Sequence, residues 1–137
     1  MKLHLVMDEI GDVAAQIPGL RVYRWPDENP TPPAALVMYP EEILFDEAFQ
    51  RGLDRMPNGG LRIVAGNVYA RAARDLLSGY CDGDGAQSIK RVFYLHDWQS
   101  CSFVRPTSVQ FEPWMSAGVP LISALFTLDI AGPGTEA

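Results

Sequence analysis

At 137 residues the chain fits one domain, and a domain of that size buries roughly 68–70% of its unfolded surface, enough for a core without disulfides or metal. Lys and Arg number 11 against 17 Asp and Glu, a net charge of −6, which argues against a basic nucleic-acid-binding face. The N-terminus MKLHLVMDEIG carries Asp8 and Glu9 where a secretory signal needs an apolar core, and no run approaches the roughly 18 apolar residues of a membrane span.

Leu3, Val6, Ile10, Val13, Ala14 and Ile17, with Met7 beside them, recur at helical spacing and predict an amphipathic helix over residues 2–16. Pro18-Gly19 stops it. Leu20 to Trp25 alternates and is rich in β-formers, with Leu20, Val22 and Arg24 on one face and Arg21, Tyr23 and Trp25 on the other. The proline-rich PDENPTPP is a stiff connector into Ala34–Tyr39, a short apolar strand fenced by prolines.

Next comes a long charged stretch. Ile43 to Phe45 reads as continuing a strand, and Asp46 to Met56 as an arm or extended hairpin tip, the whole projection covering about residues 41–60. Asn58-Gly59-Gly60 reads as a turn introducing a second strand from Leu61 to Gly66. Val68 to Tyr80 reads as a helix capped by Asn67, with Tyr69, Ala72, Ala73, Leu76, Leu77 and Tyr80 on one face. CDGDG ends it, and a shorter helix follows over Ala86–Leu95 with Ile89, Val92 and Phe93 inward. Phe103 to Phe111 reads as a strand in which Pro106 signals an edge position or a bulge, and Pro113 to Pro120 as a turn.

Leu121 to Ile130 has the clearest alternation, with Ile122, Ala124, Phe126, Leu128 and Ile130 opposed to Leu121, Ser123, Leu125, Thr127 and Asp129. Residues 131–137 read as a polar tail. The fold class expected is α+β, a mostly antiparallel sheet with helices packed on one face.

Few residues invite chemistry. Asp82-Gly83-Asp84-Gly85 lacks the further acids of a calcium loop and reads as a turn. His4 and His96 are in no zinc spacing, so no metal or cofactor is expected. His96-Asp97 with Ser100 or Cys101 would be the seed of a small hydrolase, yet no nucleophile-elbow signature surrounds them, and no catalytic residue is expected. Cys81 and Cys101 read as unpaired thiols suited to a reducing compartment. The middle segment is the best interaction candidate. Asp46, Glu47, Arg51, Asp54 and Arg55 interleave there with Phe45, Phe49, Leu53 and Met56, mixed charge around apolar anchors as at subunit interfaces.

The run PGLRVYRWPDENPTPPAALVMYPEEILFD, then RGLDRM, then ARAARDLLSGYCDGDGAQSIK, and the ending ALFTLDIAGPG resemble the tail terminator proteins of siphophages of actinobacterial hosts. The likeness spans nearly the whole chain in order and departs between Val92 and Ser116, where aromatics are dense. It implies a structural virion protein without enzymatic activity, made in the host cytoplasm and placed at the head–tail junction. Its subunits would form a ring, six by the family pattern, that caps the head-proximal end of the tail tube and stops its polymerisation. Implied partners are further copies of the chain, the major tail tube protein and a neck or head-closure protein, with DNA only passing through the lumen and no membrane. Asp46, Phe49, Arg51, Asp54, Arg55 and Met56 are the subunit-interface or lumen candidates. A head-closure or stopper protein of the neck is the alternative with the same composition, and a non-virion assembly factor another.

Overall fold

A computed structural model describes residues 1–24, 30–46 and 52–134. The chain opens with helix α1 (Leu3–Ala14), which buries Val6, Met7, Ile10, Val13 and Ala14, the stripe its spacing predicts. Gly11 leaves room for Arg24 to cross the helix and donate to the Asp8 carbonyl at 2.7 Å, because an added Cβ would stand 2.6 Å from that guanidinium. Strands β1 (Arg21–Tyr23) and β2 (Ala34–Met38) follow and pair in parallel. Strand β3 (Leu53–Asn67) leads to helices α2 (Arg71–Cys81) and α3 (Ile89–Leu95), and the hairpin of β4 (Phe103–Ser116) and β5 (Val119–Pro133) completes the fold.

The result is α+β: one sheet in the order β1-β2-β3-β5-β4, antiparallel except for its first pair. The buried side chains of all three helices join Ala35, Val37, Leu61, Ile63, Ala124, Phe126, Leu128 and Ile130 in the main core. A small second cluster, Leu36, Val64 and Leu121 with Tyr23, Met38 and Trp114 against it, lies on the opposite sheet face and contains no helical residue. The helices therefore pack on one face. Alternation along β5 sorts its residues between the two faces as the sequence implies.

Several expectations change. The projecting arm over residues 41–60 does not hold for its described second half, because β3 begins at Leu53 and pairs with β5 from its first residue. Asn58-Gly59-Gly60 is not a turn but part of that strand, at a register shift between Met56 and Gly59. Glycine suits a bulge where another backbone comes close: a Cβ on Gly59 would lie 2.8 Å from Ile130 Cδ1 and 3.2 Å from the Leu128 carbonyl. Ile43–Phe45 contributes only a bridge, Leu44 to Arg55.

α2 starts at Arg71 rather than Val68. Asn67 does not cap it; its Oδ1 accepts from Tyr69 N at 2.9 Å, a turn that throws Tyr69 out to solvent. α3 starts later than expected, capped by Ser88 Oγ, which accepts from Arg91 N at 3.1 Å. Residues 113–120 are mostly strand, the turn being only Ala117-Gly118, both at positive φ as a tight hairpin requires. Pro106 does lie on an edge strand, beside a register shift between Pro106 and Ser108. Residues 131–133 belong to β5, with Ala131 buried, so the tail is shorter than expected.

Candidate functional site

Four of the six residues singled out from the sequence gather at one end of the sheet, while Phe49 and Arg51 fall outside the described residues. Leu44 and Arg55 exchange backbone hydrogen bonds at 2.7 and 2.9 Å. The Asp54 Oδ1 accepts from Asp46 N at 3.2 Å, and Asp46 Oδ1 accepts from Gly52 N at 2.9 Å. Gly134 N closes the same corner by donating to the Gly52 carbonyl. Asp46 itself is held at φ 53°, a left-handed conformation that its carboxylate stabilises by bonding the local backbone.

Arg55 is anchored on the sheet face that carries no helix. Its Nε and Nη2 reach Asp129 Oδ1 and Oδ2 at 3.0 and 3.1 Å, a two-pronged grip, and Arg105 Nη2 approaches Oδ2 at 3.1 Å. The Asp129 side chain is only 5% exposed. Hydrogen bonding from Arg55 outweighs burial, and Arg105 adds to it, so the carboxyl sits below its ordinary value. Arg105 also lies 5.0 Å over the Phe103 ring. Further along the face Arg62 meets Glu112 at 2.7 Å and rests 4.8 Å over Trp114.

Met56 is a correction. Its neighbours alternate to the open face, but Met56 itself turns into the main core and is fully buried. It offers no surface to another subunit or to a lumen.

A second polar cluster fastens α1 to residues 96–101. Glu9 accepts from Ser100 Oγ at 2.6 Å, Ser100 N at 2.7 Å and Gln99 N at 3.0 Å, and His96 Nε2 lies 2.7 Å from its Oε2. Burial would raise the Glu9 carboxyl, but bonds from Ser100, Gln99 and His96 overcome it and hold the group at about 2. The geometry bears on the hydrolase constellation. Ser100 Oγ donates a hydrogen bond to Glu9, and Cys101 Sγ donates to the Phe103 carbonyl at 3.7 Å; among the described residues no hydrogen bond joins either to His96. Burial pushes both free thiols, Cys81 and Cys101, up to about 11. No group of three or more His, Cys, Asp or Glu side chains able to hold a metal occurs among the described residues.

Sequence reasoning found Arg55 but not its partners Asp129 and Arg105. The signal for Asp129 was the one charge on β5; nothing local named Arg105. It also missed Glu9. No family model matches the chain, and no characterised protein matches it. None of the described helices is long and apolar enough to cross a membrane.

Proposed function

We propose that this protein is a structural subunit of a siphophage virion, forming a ring that caps the head-proximal end of the tail tube, stops its polymerisation and offers the joining surface to the neck. The observation that carries the reading is the long sheet edge. β4 runs for 14 residues as the last strand in the order, and its Phe111 and Met115 are 64% and 62% exposed. An exposed edge of that length invites pairing or packing with another chain unless something covers it, and neighbours in a ring would do so. The resemblance to tail terminators, which covers most of the chain but departs between Val92 and Ser116, supplies the particular assembly. A net charge of −6 suits a subunit past which DNA slides rather than binds. Partners are other copies, the tube protein and a neck protein, and the role needs neither cofactor nor catalysis.

The test is electron microscopy of lysates from a phage lacking this gene. Overlong or irregular tails beside DNA-filled tailless heads are expected. Tails of normal length with leaking heads would move the protein to head closure, and normal virions would end both readings.

A further inference from the structure

Two surface features with opposite chemistry lie on opposite edges of the sheet. Across the end built by β3 and β5, Leu44 pairs with Arg55, Arg55 with Ala131 and Ala131 with Phe103. At about 4.8 Å per strand, Leu44 and Phe103 stand about 14 Å apart.

On the first edge, Tyr39 and Phe45 are 66% and 72% exposed, and the exposed acids Glu41, Glu42 and Asp46 lie between and beside them. Among the described residues neither Glu41 nor Glu42 has an ion-pair partner. On the other edge, α3 and the start of β4 enclose a groove of about 620 Å³. Phe93 and Trp98, edge to face at 5.5 Å, form its floor. Lys90, Tyr94, Phe103 and Arg105 form its rim. Asp97 also lines it, and Arg105 is shared with Asp129, so Lys90 is the rim cation without an ion-pair partner among the described residues. In a chain of net charge −6, a groove with aromatic walls and Lys90 unpaired at its rim among the described residues is complementary to an acidic strip carrying exposed aromatics. The chain supplies such a strip itself.

We propose that the Tyr39–Asp46 segment of one copy docks in the α3–β4 groove of the next. Tyr39 and Phe45 would fill apolar space that aromatic side chains favour at interfaces, and Glu41 or Glu42 would reach Lys90. Because donor and acceptor surfaces differ and face away from each other, the contact is head-to-tail, the type that generates a ring when its rotation closes. The closed ring rests on the function proposed above, whereas the contact rests on the surfaces alone.

Light scattering on the full chain across a concentration series tests it, with two double variants, Lys90→Glu/Tyr94→Ser and Glu41→Lys/Glu42→Lys. All four positions are exposed, so each variant should keep the wild-type circular-dichroism spectrum. The wild type is expected to self-associate, each variant to lose at least about tenfold in affinity, and an equimolar mixture to recover a one-to-one dimer, since each variant retains the half the other lacks. Carbodiimide coupling should join Lys90 to Glu41 or Glu42 between chains. An oligomer indifferent to both variants would overturn this contact and leave the ring reading standing on another. A mixture that stays monomeric, or a wild type that neither associates nor cross-links at these residues, would overturn it too. The gene-deletion phenotype judges the ring reading separately.

Discussion

Replacing Glu9 with glutamine tests how firmly α1 is tied to residues 96–101. The folded value near 2 lies below the ordinary 4.5. A group depressed in this way contributes stability that is present above its unfolded value and lost as pH falls through the folded one. The window here is therefore about pH 4.5 down to about 2. At about 1.4 kcal/mol per pH unit, ionised Glu9 is worth about 3 kcal/mol at neutral pH. Glutamine keeps one acceptor oxygen for Ser100 but loses the charge and the second acceptor, so a loss of about 2 kcal/mol is expected. With an unfolding entropy of about 0.3 kcal/mol per kelvin for a chain this long, Glu9→Gln should melt about 7 °C lower. Thermal unfolding followed by circular dichroism from pH 7 to pH 3 would measure the gap, which should narrow below about pH 4.5 as the Glu9 carboxylate of the unfolded wild-type chain takes up its proton while that of the folded chain stays ionised. Asp129, also depressed, is present in both proteins and cancels. A gap that stays constant down to about pH 3, or one below about 2 °C at neutral pH, would refute the reasoning.

Asp129→Asn removes the carboxylate that Arg55 and Arg105 share; with both arginines partly open to water, a loss of about 1–2 kcal/mol is expected, read as a lower urea midpoint at unchanged slope. Met56→Ala should cost about 2–5 kcal/mol in the same assay, since it empties a fully buried core position. A cost below about 1 kcal/mol would return Met56 to the surface role the sequence assigned it.

Element order and the inward faces of α1 and β5 were legible because hydrophobic period alone sets them. β3 was not, and the reason is specific. Pro57, Gly59 and Gly60 carry every local mark of a turn, but the strand is held by a ladder to β5 that begins with Leu53 against Pro133 and passes through Met56 against Ile130. Tertiary pairing overrode propensity. The same distance hid the polar clusters: Arg55 and Asp129 are 74 positions apart, and Glu9 and Ser100 are 91 apart. Phe103–Phe111 was extended to Ser116 because Ala117-Gly118, not the prolines, makes the turn.

The sheet face without helices bears on where partners can sit. Leu36, Val64 and Leu121 are buried there although no helix covers them. Other side chains do it instead: Tyr23, Met38 and Trp114 pack against them, and Arg62 lies over Trp114 and reaches Glu112, while farther along the face Arg55 and Arg105 close over Asp129. Arginine stems can shield apolar surface while keeping their charge near water, so the apolar cluster on this face is covered within the subunit. Most of the exposed aromatics lie elsewhere, with Tyr39 and Phe45 beside one edge, Tyr94 and Phe111 toward the other, and Tyr69 on the turn before α2. A partner that recognised the face would have to break those ion pairs, whereas one that approached an edge would meet side chains already bare. Edge-to-edge neighbours are the arrangement this distribution favours.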